Sequence, residues 1–198
     1  MKILKIILLL LLLLIGLFFL MGLISPAVNY GHTITVDKSV EEAWAVSQDQ
    51  SKYAKWLKGY KSMELLSGEL AQPGSTYKVV VDPGNGEQDF VMTETLHSIV
   101  ENEMVHMTFD SDFMDFDQKI HFTEKEGKTT ISSDSQASGK GLVMRSMFSV
   151  MNLLTGSFQK QEEENFNNLR DLINNNTTNY QAVSEEIMEE KEPEEVVQ

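Results

Sequence analysis

Residues 141–173 read GLVMRSMFSVMNLLTGSFQKQEEENFNNLRDLI, and the spacing of their apolar side chains decides what the rest of the chain must provide. Met144, Met147, Met151, Leu154 and Phe158 recur at steps of three or four, and Phe166, Leu169 and Ile173 carry the stripe on after Glu162 interrupts it. That period predicts one long amphipathic helix. Arg145, Asn152, Lys160, Glu163 and Asn167 occupy its opposite side, so one stripe has to be buried against something broad. A curved antiparallel sheet is such a partner, and a sheet bent around a helix leaves room for a cavity between the two.

Working upstream, the stretch from Tyr60 to Ala137 supplies that sheet. Six β-rich segments, 60–66, 76–81, 88–99, 104–110, 114–122 and 129–137, are separated by Pro73-Gly74, Pro83-Gly84-Asn85-Gly86, Glu101-Asn102, Ser111-Asp112 and Glu126-Gly127. Breaks this short favour sequential antiparallel hairpins. Centring turns on Glu101-Asn102 and on Glu126-Gly127 sets Leu96 opposite Met107, Phe122 opposite Ile131 and Gln118 opposite Ser135. One face then collects Phe90, Met92, Leu96, Val105, Phe109, Phe116, Ile120 and Phe122, the other Thr93, Thr95, His97, His106, Asp115, Asp117 and Lys119. One apolar and one wet side is the pattern of a half-open antiparallel sheet. Ahead of it, residues 28–31 read as a short linker, His32–Val36 as a first strand, and Ser39 with Glu42 as the capping box of a helix. A second short helix is expected over 51–57, bringing Tyr53, Trp56 and Leu57 to the same core.

A strand, two small helices, six strands and a closing helix is the order of the helix-grip fold. The stretch Thr33-Ile-Thr-Val-Asp-Lys-Ser-Val-Glu-Glu-Ala-Trp44 followed by Tyr53-Ala-Lys-Trp56, together with Gly74-Ser-Thr-Tyr77 and Phe166-Asn-Asn-Leu-Arg170, resembles the SRPBCC superfamily, which holds START-like lipid carriers and polyketide cyclases. The resemblance spans about 33–173. It implies an α+β domain with a curved antiparallel sheet of about seven strands around a long C-terminal helix, and an apolar ligand cavity between them. It does not imply catalysis, because the superfamily mixes carriers with enzymes.

The 198-residue chain divides on composition into three parts: 1–27, 28–173 and 174–198. After Lys2 and Lys5, Ile6–Ile24 contains no charged residue, and nineteen residues of helix are about 28 Å long, close to the hydrocarbon thickness of a bilayer. This part is expected to be a transmembrane anchor, with a cleaved signal peptide as the alternative because Ser25-Pro26-Ala27 offers small residues for cutting. Lysines ahead of the span and an acidic domain behind it place the protein in the cytoplasmic membrane, single-pass, with the domain on the extracytoplasmic side. The net charge is −14. Seven Glu and one Lys after Ile173, and Lys2 and Lys5 at the other end, leave −10 on 28–173. So acidic a surface argues against nucleic acid as a partner. The segment from Asn174 on is expected to be a disordered acidic tail. There are no cysteines, which excludes disulfides, thiolate metal sites and cysteine nucleophiles.

Polar residues on the inward face, Glu94, Gln118, Ser133 and Ser135, together with Tyr77, Met147 and Met151, are the candidate cavity residues. Polar groups facing an apolar space are costly unless paired, with each other or with the polar end of a ligand. His97, His106 and Asp117 share a row on the wet face, where an exposed polar ladder accounts for them. Gly139-Lys140-Gly141 lacks the remaining residues of a phosphate loop. No catalytic, metal or cofactor motif is assigned. The function expected is a membrane-anchored protein holding a small apolar or lipid-like molecule in the cavity; the alternatives are a cyclase or aromatase-type enzyme with Glu94 or a histidine as general base, and an envelope protein-interaction module.

Overall fold

The computed structural model describes residues 2–84, 86 and 88–180. An apolar helix α1 (Lys2–Ile24) leads into strands β1 (Ala27–Tyr30) and β2 (Thr33–Val36), helix α2 (Val40–Gln48), a short 3-10 turn (Gln50–Lys52) and helix α3 (Tyr53–Trp56). Strands β3 (Tyr60–Ser67), β4 (Thr76–Val81), β5 (Phe90–Val100), β6 (Met104–Asp110), β7 (Met114–Lys125) and β8 (Lys128–Gly139) follow, then helices α4 (Gly141–Thr155) and α5 (Ser157–Asn174). The sheet is antiparallel throughout in the order β1-β8-β7-β6-β5-β4-β3, with β2 also on β8. This is the helix-grip arrangement. β1 and β2 pair with successive stretches of β8, which is why eight strands occupy seven places.

The expected registers hold: Leu96 faces Met107, Phe122 faces Ile131 and Gln118 faces Ser135. The β7–β8 turn is closed by Glu126 at φ 55° and Gly127 at φ 74°, two left-handed residues whose twist matches a tight hairpin. Ser39 caps α2, its hydroxyl accepting from the Glu42 amide at 3.4 Å. The core forms where α5 crosses the concave face: Phe166, Leu169 and Ile173 are almost fully buried there with Ile34, Val36, Val46 and Ile131, and Trp44 sets its ring edge against Phe122.

Three expectations are corrected. Residues 28–31 are not a linker, since Ala27–Tyr30 adds a strand to β8, Ala27 opposite Ser138 and Tyr30 opposite Ser135. The closing helix is two helices. Gly156 adopts a left-handed conformation at φ 60°, ψ 31°, ending α4 through its amide to the Asn152 carbonyl at 2.8 Å, while its own carbonyl opens α5 by accepting from the Lys160 amide at 3.0 Å. Only glycine takes that conformation without strain, so the apolar period runs on in sequence while the axis turns in space. The residues just past Asn174, expected to be disordered, run back over α2: Lys52 Nζ donates to Asn176 Oδ1 and the Tyr180 hydroxyl, and that hydroxyl donates to Asp49 Oδ2 at 2.9 Å. The rest of the expected acidic tail lies outside the described residues.

α4 crosses the β1–β8 end of the sheet and also packs on α1. A Cβ at Gly22 would come within 2.3 Å of Ser146 Oγ and 2.7 Å of the Ser146 amide nitrogen, so the helices meet where one has no side chain. Ser149 Oγ donates to the Ser25 carbonyl a turn further along both.

Candidate functional site

Splitting the closing helix opens the concave side of the sheet at one end. There α4 and α5 diverge, and a cavity of about 350 Å³ lies between them, α3 and the inner faces of β4 to β7. Its walls are rich in aromatic rings. Phe109 stacks on Phe116 at 5.4 Å, Phe116 on Tyr30 at 6.2 Å, Tyr30 meets Phe158 at 5.5 Å and Phe158 meets Phe148 at 5.4 Å. Met92, Met114 and Met151 add flexible, polarisable surface. The volume falls in the range of small-molecule pockets, and the lining is largely apolar. A second cleft of about 410 Å³ lies between the start of α2 and residues 176–180. It is polar and half its walls are the returning chain, so it has the character of a surface groove.

Polar side chains also reach the wall, Lys58, Gln118, Gln161, Glu162 and Asn165, and Glu162 is the one carboxylate among them. Glu162 of α5 is buried, and its Oε1 accepts from Gln118 Nε2 and from Ser135 Oγ, both at 3.0 Å; Gln118 Nε2 also reaches Ser135 Oγ at 3.1 Å. The β7–β8 register brings Gln118 and Ser135 side by side, and the helical period of α5 drops Glu162 onto them. Burial, and then the nearby charge of Glu162, raise the Tyr30 hydroxyl far above its ordinary pKa, so the phenol stays protonated. On another wall, Trp56 is buried, and its Nε1 has no hydrogen-bond partner among the described residues.

The candidate residues separate in space. Gln118 and Met151 line the cavity, and Ser135 holds Gln118 and Glu162 from behind. Glu94 sits outside the lining, between Tyr77 of β4 and Phe109 of β6. It is 8% exposed, and burial pushes its carboxyl up to about 7. Tyr77 is core, its hydroxyl accepting from the Ala71 amide at 2.8 Å. Ser133 closes the β1–β2 junction by accepting from the His32 amide at 3.1 Å. Met147 lies outside the lining because the turn of α4 puts it on the outer stripe, 41% exposed. On the wet face His97 and His106 stack at 4.9 Å and bond to Thr108 and Asp117, an exposed ladder. Among the described residues no group of three or more His, Asp and Glu is placed to hold a metal.

Sequence gives no site role to Glu162 or Tyr30, and places Trp56 only in the core. Glu162 did leave a signal: it stands where the period linking Phe158 to Phe166 calls for an apolar side chain.

A sequence model of the family described as polyketide cyclase / dehydrase and lipid transport matches residues 28–166. Comparison with the curated proteins gives no match. Among solved structures, protein CV1439 from Chromobacterium violaceum superposes with a TM-score of 0.57 at 14% identity, over 75% of this chain and 98% of that one. A conserved protein from Geobacillus kaustophilus gives 0.57 at 18% identity, over 74% and 95%. The di-domain ARO/CYC BexL from the BE-7585A biosynthetic pathway gives 0.56 at 14%, over 77% of this chain and 52% of that one. Identities this low establish the shared fold. The family match spans most of the β1-to-α5 domain, and on that ground this chain belongs to the polyketide cyclase / dehydrase and lipid transport family.

Proposed function

We propose that the protein is a membrane-tethered carrier that holds one apolar molecule with a polar end, tail among the aromatic rings and polar end at Glu162. The observation that carries this reading is a largely apolar cavity of about 350 Å³ broken by one buried carboxylate cluster. The protonated Tyr30 hydroxyl is a donor, and Glu162 is an acceptor. An alcohol, an amide or a protonated carboxylic acid suits that set, since each can donate and accept at one end.

The tether is α1, long and apolar enough to cross a bilayer. Retention rather than cleavage is supported by its contacts: cutting near Ala27 would strip the helix that covers Ser146 and Ser149. The two lysines at its start favour a cytoplasmic N-terminus and a domain on the other side. A reporter fused after Gln198 that is active only outside the cytoplasm is expected to be active; activity solely from a cytoplasmic reporter overturns the sidedness.

The carrier reading is tested by solvent extraction and mass spectrometry of the full chain purified in mild detergent. A stoichiometric apolar molecule is expected, and Met151→Trp, which fills the cavity from α4, is expected to reduce the loaded fraction at least tenfold. Equal loading of the variant, or a wild-type protein that never carries an apolar molecule, refutes it. The cyclase reading needs an acid or base at the cavity surface. Unchanged turnover in Glu94→Gln, once any turnover is found, removes Glu94 from that role.

A further inference from the structure

α4 has three faces with three different neighbours. Phe148 and Met151 line the cavity, while Ser146 and Ser149 face the end of α1. The third face is the stripe Val143, Met147, Val150 and Leu154, at steps of four, three and four. On it Val143 is 59% exposed, Met147 41% and Leu154 76%, with Leu153 beside it at 70%. Such a run of exposed large apolar side chains on one helix calls for a partner.

The position of α4 says which partner. Gly22 lies beside Ser146 and Ser25 beside Ser149, so the two helices run in the same direction. The first turn of α4 is therefore level with the turn of α1 before Gly22, inside the apolar segment. The exposed stripe continues the apolar surface of α1, whose Leu20, Leu23 and Ile24 are themselves exposed. Charge agrees with this placement. In a chain of net charge −14, α4 has no acidic residue, and Arg145 is its one charged side chain. The acidic β6–β7 end nearby is offset by Lys140, whose Nζ reaches Asp110 at 2.7 Å and Asp115 at 3.4 Å.

We propose that the Val143–Leu154 stripe of α4 is a second membrane contact, its first turn in the hydrocarbon of the leaflet from which α1 emerges and Leu154, about 12 Å beyond Ser146 along the helix, among the headgroups, which makes α4 the wall between bilayer and cavity. This rests on the reading of α1 as a membrane span. A molecule leaving the cavity past Phe148 and Met151 then passes from protein to lipid around one helix, without crossing bulk water.

The absence of cysteine makes the test clean. Single cysteines at Val143, Leu154, Leu10 in α1 and Thr123 on the β7–β8 hairpin, all exposed positions, are spin-labelled in the full chain. The chain is then reconstituted into vesicles of phosphatidylcholine with a minor fraction of phosphatidylglycerol. Collision with oxygen relative to a water-soluble nickel chelate reads immersion. At V143C the ratio is expected several-fold above that at T123C and on the same side as L10C, and at L154C it is expected between the two. If L10C is lipid-immersed while V143C and L154C match T123C, the α4 contact is overturned and the anchor stands. If L10C is also aqueous, both fall. Dipolar broadening between labels at L154C would mean a second copy covers the stripe, which also overturns the proposal.

Discussion

Removing the charge from Glu94 is predicted to abolish a decline in stability between acid and neutral pH. Burial between Tyr77 and Phe109 raises this carboxyl from its ordinary 4.5 to about 7, because the charged form loses hydration that no hydrogen bond among the described residues replaces. Between those values the native protein keeps a proton that the unfolded chain has released. Stability therefore falls as pH rises. The contribution is fully present below 4.5 and is lost as pH passes through about 7. At about 1.36 kcal/mol per pKa unit the whole decline is about 3 kcal/mol. Glu94→Gln keeps the shape and cannot ionise, so its stability stays level over that range and exceeds wild type by about 3 kcal/mol at pH 8. Urea unfolding of both proteins in detergent micelles, followed by the fluorescence of the buried Trp44 and Trp56, measures the difference. Carboxylates with lowered pKa, such as Glu42 and Asp49, act at lower pH and cancel in the comparison. Curves for the two proteins that run parallel from pH 4.5 to 8 would refute the reasoning.

Glu162→Leu leaves the Gln118 amide and the Ser135 hydroxyl without their buried acceptor. It is expected to cost about 1–3 kcal/mol in the same unfolding assay, whereas Glu162→Gln retains an acceptor and costs less. Gly22→Leu forces a side chain into the Ser146 backbone and is expected to cost about 1–3 kcal/mol by overpacking, read as a lower urea midpoint. Phe166→Ala, at a position 1% exposed under the sheet, is expected to cost about 3–5 kcal/mol. Unfolding midpoints within error of wild type in either of these last two would contradict the packing described.

The sheet was legible because its evidence is local. Turn residues such as Asn102 and Glu126-Gly127 set each hairpin, and strict alternation then fixed which side of Leu96 or Ile131 meets the core. β1 was not legible, since Ala-Val-Asn-Tyr is too short to show alternation and is recruited by pairing with a strand more than a hundred residues away. The break at Gly156 was hidden for a related reason. Apolar spacing counts residues along the chain and is blind to one left-handed glycine, so side chains from two helices with different partners read as a single stripe. That explains why Met151 lies in the cavity lining and Met147, one turn earlier, lies outside it. The polar core of the site was half visible. Gln118 and Ser135 follow from register, but their partner Glu162 reads in sequence as an interruption of the apolar period and not as the group the other two bind.

Ser25 and Pro26 are all that separates α1 from β1, and neither is slack. The Ser25 carbonyl is held by Ser149, and the Pro26 carbonyl by the Ser138 hydroxyl at 3.3 Å. The joint between α1 and the domain is thus tied on one side to α4 and on the other to β8. Were α1 the membrane span proposed above, a tilt of that helix to match a thicker or thinner bilayer would pass through this joint to the mouth of the cavity.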